Sequence, residues 1–239
     1  MFTLKKVTSS EQLCAVYDTL YAQSWLPSRT SLLRWSINLL EGEPGQLLLD
    51  VACGDAQMAP LARKAGLMYY GVDFSPVAVE KAHTKTVFAA DGQHLPFASQ
   101  TFDLVTNIGS LEHFTEMSRG IREMARVLKA NGKACILVPN AFGLTWNVLH
   151  VWRTGNLADD DGQPVQRFGT RGAWEYLLQT NGLHIDRTIG HERRWPRTTT
   201  EWNIYRQYPQ ELLLALLGPF LPLNLKRCFV FLCSPENRV

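Results

Sequence analysis

Apolar positions along the chain switch repeatedly between two periods. Short continuous runs read as buried strands, and stretches with apolar residues three and four apart read as helices. Ser9-x-x-Gln12 has the form of a capping box and opens a helical pattern to about Tyr21, with Leu13, Val16, Tyr17 and Leu20 on one face. A second helix is expected after Pro27, running to Leu40. The segment EGEPG at 41–45 then punctuates the chain. From there strands and helices alternate: a strand at 47–52, a helix at 57–65, a strand at 67–72, a helix from Ser75-Pro76 to about His83, and a strand at 87–90. Phe102–Asn107 reads as a strand and 115–129 as a helix. Ala134–Val138 is expected as a further strand after a turn at Asn131-Gly132. Beyond Asn140 the pattern loosens, with a helix at Arg171–Asn181 ended by Gly182, and strands at Leu183–Ile189 and Arg227–Cys233. Strand–helix alternation of this kind predicts an α/β fold, a mostly parallel sheet wound on both faces by helices.

Composition narrows the class. The chain has 239 residues, 46% hydrophobic and 19% charged, enough to bury a full core. Its formal net charge is +2, without the basic excess of a dedicated nucleic-acid binder. The charge is uneven: residues 1–120 carry 9 basic and 12 acidic side chains, and residues 121–239 carry 15 and 10. Five scattered cysteines with no C-x-x-C pair indicate neither a disulfide framework nor a zinc site. MFTLKKVTSS lacks an apolar signal core, and the uncharged stretches Ala134–Trp152 and Leu212–Leu225 are broken by polar, glycine or proline residues. The expected setting is cytoplasmic, with peripheral membrane contact through 212–225 kept open.

Ligands of open α/β sheets sit beyond the carboxyl ends of the strands. At the first such end the chain reads Asp50-Val51-Ala52-Cys53-Gly54-Asp55-Ala56, small at 52, 54 and 56. It has neither the G-x-G-x-x-G of a dinucleotide site nor the G-x-x-x-x-G-K-[ST] of a phosphate loop. The turn therefore suits a ligand that comes close to backbone but carries no phosphate. Asp73 and Asp91 end the next two strands, and Asn107 ends the fourth. Each acid has an ordinary alternative role as a cap or turn residue; three in succession argue for a site.

LLLDVACGDA, YYGVDFSP, FAADGQHLPFASQTFDLV, IGSLEHF and REMARVLKANGKACILVPN resemble, in order and spacing, the class I S-adenosylmethionine-dependent methyltransferases. The similarity is strongest over 45–140 and points to the small-molecule branch that includes quinone-biosynthesis methyltransferases. It implies a seven-stranded sheet of order 3-2-1-4-5-7-6 with strand 7 antiparallel, in one domain over 1–239. Residues 1–44 would be a helical cap, 45–140 the cofactor core, and 141–170 and 190–225 acceptor-side insertions. It also implies that S-adenosylmethionine is the cofactor, with Asp50, Ala52, Cys53, Gly54 and Asp55 around the methionine moiety. Asp73 would hold the ribose and Phe74 the adenine face, Asp91 and Gly92 would read the adenine edge, and Asn107, Gly109 and Ser110 would line the methyl side. The family turn is G-x-G-x-G, so Ala56 departs from it and, with Asp55, is expected to tighten the pocket.

Methyl transfer needs alignment in a dry site and, for a hydroxyl acceptor, a general base. His113 is the candidate base, and a packing role is its alternative. No metal is called for. Tyr17, Tyr21 and Trp25, with Trp146, Trp152, Trp195, Trp202 and Tyr205, are the candidates to wall an apolar acceptor. The expected activity is transfer to an oxygen or nitrogen of a small molecule that is apolar or carries an anionic group. Arg187, Arg193, Arg194, Arg197 and Arg206 favour an RNA substrate as the rival reading. Ala56 favours a non-catalytic cofactor-binding or interaction protein.

Overall fold

The computed structural model describes residues 1–5, 10–23, 30–157, 163–192, 195–196, 199–207 and 210–236. Its strands are β1 (Phe2–Lys5), β2 (Leu47–Val51), β3 (Met68–Asp73), β4 (Val87–Ala89), β5 (Phe102–Ile108), β6 (Leu128–Pro139), β7 (Val165–Phe168), β8 (Leu183–His191) and β9 (Cys228–Pro235). The main sheet has the order β4-β3-β2-β5-β6-β9-β8. Counted along the chain within that sheet, this is 3-2-1-4-5-7-6. Only β9 runs antiparallel, against β6 on one side and β8 on the other.

Consecutive side chains of these strands enter two separate cores. Leu49, Val105, Ile136, Phe229 and Phe231 face one side; Leu48, Leu104, Cys135, Leu137 and Val230 face the other. Burial on both faces is why the strands read as apolar runs rather than as alternating patterns. The first core is closed by α5 (Met117–Val127), which buries Ile121, Met124 and Val127, and by α7 (Arg171–Gln179), which buries Trp174 and Leu178. The second is closed by α2 (Thr30–Leu40), through Leu33, Ile37 and Leu40, and by α3 (Ala59–Lys64).

The helix starts follow local chemistry. Ser75 accepts a hydrogen bond from the Ala78 N–H at 3.2 Å and precedes Pro76, opening α4 (Pro76–Lys81). Its hydroxyl also donates to Asp18 of α1 (Ser10–Ala22), and Lys81 donates to the Tyr21 carbonyl. These bonds dock α1 beside the end of β3. Ser9 and Pro27 lie outside the described residues.

Two elements differ from expectation. β6 begins at Leu128, and its pairing with β5 jumps from Phe102↔Leu128 to Leu104↔Lys133. The turn expected at Asn131-Gly132 is thus part of an irregularity within one long strand. Antiparallel pairing of β1 with β7 forms a separate two-stranded sheet, Phe2 opposite Phe168 and Lys5 opposite Val165, which the sequence reading did not foresee. The remaining helices α6 (Leu149–Thr154), α8 (Thr199–Gln207) and α9 (Gln210–Leu217) belong to the segments after β6 and β8.

Candidate active site

A cleft of about 1120 Å³, its open mouth included, lies at the carboxyl ends of β2, β3, β4 and β5 and beneath α1. Its floor is the turn after β2. Three residues there take left-handed backbone, Ala52 at φ 61°, Gly54 at φ 58° and Ala56 at φ 58°. Alanine pays for that conformation where glycine does not, so neighbouring bonds must hold the turn. The Cys53 N–H donates to the Val72 carbonyl at 2.9 Å, and the Gly54 N–H donates to Asp73 Oδ2 at 2.7 Å. The other oxygen of Asp73 accepts from the Ser75 N–H at 2.9 Å. Ala56 is buried in the second core and does not line the cleft; its methyl packs under the turn instead of narrowing the pocket.

Among the described residues the cleft is lined by four aspartates, Asp50, Asp55, Asp73 and Asp91, and by no lysine or arginine. Asp50 accepts from Thr106 Oγ1 at 2.8 Å and from the Tyr69 hydroxyl at 3.1 Å. Burial nevertheless pushes its carboxyl up to about 7. Burial likewise pushes Asp73 up to about 6 against its backbone donors. Tyr21 and Cys53 are raised by burial as well, so both stay protonated.

These shifts set a pH dependence. A folded-state value above the unfolded one means that the folded chain keeps a proton that the unfolded chain releases. For Asp50 the stabilisation is full below the ordinary carboxyl value of 3.8 and is lost as the pH rises through about 7. Between about pH 5 and about pH 8, stability of the ligand-free protein should fall by about 2–3 kcal/mol through this group. Urea titrations should show a much smaller fall for Asp50→Asn, which keeps only the part due to Asp73. Equal falls in the two proteins would remove Asp50 as the source.

Asp91 receives the Gln93 N–H at 2.9 Å and its side-chain amide at 3.0 Å. The carbonyl oxygen of that amide accepts from Thr115 Oγ1 at 2.9 Å and from the Glu116 N–H at 2.6 Å. Gln93 therefore ties the end of β4 to the loop after the 3-10 turn Leu111–His113. Phe114 wedges over Gly92, where an added Cβ would stand 2.7 Å from its ring, which explains glycine at that position.

His113 lines the cleft and is only 7% exposed. Its Nδ1 is bonded to the Val165 carbonyl of β7. A carbonyl only accepts, so Nδ1 carries a proton, and in the neutral tautomer the lone pair is on Nε2. A carboxylate oxygen of Glu112 lies 3.8 Å from Nε2. Arg167, also on β7, donates to the carbonyls of Glu112 at 3.1 Å, of Phe114, and of Thr115 at 3.4 Å. The small sheet thus clamps the loop that presents the imidazole.

Of the residues singled out from sequence, Asp50, Ala52, Cys53, Gly54, Asp55, Asp73, Phe74, Asp91, Gly92, Gly109, Ser110, His113, Tyr17 and Tyr21 come together on this cleft. Asn107 does not line it. Its amide donates to the Val51 carbonyl at 3.2 Å and its oxygen accepts from the Leu111 N–H at 2.9 Å, so it braces β2 against the 3-10 turn. Five of the aromatics lie elsewhere. Trp146 packs edge-on to Phe168 beneath the Arg227 guanidinium, Trp195 packs edge-on to Trp202, Tyr205 is buried, and Trp152 is exposed. Trp25, Arg193, Arg194 and Arg197 are outside the described residues. Ile108, within the run from Asn107 to Ser110, lines the cleft, and Leu13, Leu33, Gln57, Ala90, Gln93, Phe114 and Gln163 line it without having been foreseen. Among the described residues no group of three or more His, Cys, Asp or Glu side chains is placed to hold a metal.

The fold is thus a doubly wound sheet with an acid-lined cleft at the carboxyl ends of its first four strands. A family described as "Methyltransferase domain" matches residues 49–136. A demethylmenaquinone methyltransferase of Corynebacterium kroppenstedtii is 34% identical over 99 residues, 41% of this chain and 43% of that protein. A 2-phytyl-1,4-naphtoquinone methyltransferase of Trichormus variabilis is 32% identical over 140 residues, 53% of this chain and 61% of that protein. The chain spans about half the length of the curated relatives it matches. The crystal structure of the (4+2)-cyclase SpnF superposes with a TM-score of 0.69 at 19% identity, covering 97% of this chain and 98% of that one, a likeness of fold. The match over residues 49–136 and these relatives support a methyltransferase of the class I S-adenosylmethionine-dependent kind.

Proposed function

We propose that the protein binds S-adenosylmethionine and methylates a small apolar acceptor at an oxygen or nitrogen. The observation that carries this reading is the chemistry of the cleft, which among the described residues has four aspartates and no lysine or arginine. Such a lining repels phosphates. It matches a ligand that offers ribose hydroxyls, an adenine amine and positive charge. Asp73 would hold the hydroxyls, Asp91 and Gly92 the adenine edge, Phe74 the adenine face, and the turn at 52–55 the methionine end. Bound there, the cofactor supplies a methyl group on a positively charged sulfur, transferable by in-line displacement. Apolar lining from Leu13, Leu33, Ile108 and Phe114 keeps water out. His113 takes the acceptor's hydroxyl or amine proton on Nε2, while Nδ1 stays bonded to Val165. The quinone substrates named for two relatives support an apolar planar acceptor.

Calorimetry distinguishes this ligand class directly. S-adenosylhomocysteine is expected to bind one per chain, whereas NAD and ATP give no binding heat. Binding of NAD or ATP in place of S-adenosylhomocysteine would overturn the reading.

A further inference from the structure

A carboxylate is rarely buried without a charged partner. Asp50 lies within β2, opposite Gly71 of β3 on one side and Thr106 of β5 on the other. It is buried, yet it lines the cleft. Its two oxygens are held separately. Thr106 Oγ1 donates to Oδ1 at 2.8 Å, and the Tyr69 hydroxyl donates to Oδ2 at 3.1 Å. Tyr69 and Thr106 are themselves buried and do not line the cleft. The sheet makes room for this arrangement at Gly71. An added Cβ there would stand 2.9 Å from the Tyr69 hydroxyl and 2.7 Å from Cys53 Sγ, so any side chain would push the hydroxyl aside.

The titratable groups that face Asp50 among the described residues are Tyr69 of β3, Cys53 in the turn after β2, and Asp73 at the end of β3. Burial keeps the tyrosine and the thiol protonated, and Asp73 adds like charge. No cationic group among the described residues acts on the carboxyl. A buried acid with neutral donors alone costs stability that an apolar side chain of similar size would not. Strand pairing does not call for it, because pairing with β3 and β5 uses the backbone. The arrangement suits a positive charge that arrives from the cleft. With each oxygen fixed by a buried donor, the carboxylate has lone pairs left to accept from a cation on the cleft side.

We propose that Tyr69 and Thr106 are positioning residues, holding the Asp50 carboxylate as the counter-charge to the ammonium group at the amino-acid end of the cofactor. The inference rests on the cofactor reading above and names the residues that set the affinity for that end. Calorimetry with two ligands tests it: S-adenosylhomocysteine, and 5′-methylthioadenosine, which has the same nucleoside but no amino-acid end. Tyr69→Phe and Thr106→Val each keep the side chain's shape and remove one donor. Each should weaken S-adenosylhomocysteine binding by roughly ten-fold. Each should leave 5′-methylthioadenosine binding unchanged, which also checks the fold. Protonation discharges Asp50, so the preference for S-adenosylhomocysteine over 5′-methylthioadenosine should shrink as the pH falls through about 7. A lost donor destabilises the ionised form, so in Tyr69→Phe that midpoint should move to higher pH. Equal losses for the two ligands, no loss for either, or an unmoved midpoint would overturn the proposal and leave the cofactor reading standing. A parent protein that binds neither ligand would overturn the cofactor reading itself, and this proposal with it.

Discussion

Turnover of the His113→Asn variant is expected to fall by roughly 10²–10⁴, the range for loss of a positioned general base. Asparagine can still donate to the Val165 carbonyl that now accepts from Nδ1, so the loop should keep its place. What disappears is the lone pair on Nε2. Cofactor affinity should barely change, because Asp73 and Asp91 do not touch the substituted atoms. Single-turnover transfer of labelled methyl, measured across pH, separates the two roles of the ring. A rate within a few-fold of the parent, with an unaltered pH profile, would leave His113 as packing between the cleft and β7.

The second large effect concerns Asp73. Its carboxylate makes charge-assisted hydrogen bonds, each worth on the order of 1.5–3 kcal/mol before desolvation. Asp73→Asn should weaken S-adenosylhomocysteine binding by roughly ten-fold or more. In the parent protein the carboxyl is pushed up to about 6, so acidification through that value protonates the acceptor. Affinity should therefore drop as the pH falls through about 6 and be flatter for the variant. Because the same oxygens hold the Gly54 and Ser75 amides, circular dichroism must show the fold intact. Unchanged affinity in a folded variant would take Asp73 out of the site.

Much of this arrangement was legible because strands buried on both faces must be apolar. An acid that interrupts such a run marks its end, and Asp73 and Asp91 are both found at strand ends on the cleft. Ser75-Pro76 announced α4 because a cap hydroxyl and a fixed φ are local properties. Long-range pairing left no such trace. β1 and β7 are four-residue strands separated by more than half the chain, and nothing in FTLK names its partner. The aromatic residues after Asn140 misled in a different way. Their number suits a pocket wall, but aromatic rings satisfy one another, as Trp195 and Trp202 do. Gln93 and Gln163 were invisible because an amide has no characteristic neighbour in sequence. Ala56 raised a question of side-chain size, and the answer lay in the backbone: the turn keeps its left-handed path with alanine at 52 and 56.

On the proposed placement of cofactor and acceptor, Gln93 would couple the two ends of the cleft. One amide bonds Asp91 through its nitrogen and the 115–116 segment through its oxygen, and Arg167 fastens the carbonyls of Phe114 and Thr115 beside it. A ligand that draws on Asp91 must compete with, or reorient, a group that also anchors the histidine loop. Binding free energies linked in this way are reciprocal. Whatever factor an occupied adenine end imposes on acceptor affinity, an occupied acceptor end imposes on the cofactor. Half-reactions measured with one ligand absent would then understate the affinity, or overstate it, by one shared coupling constant.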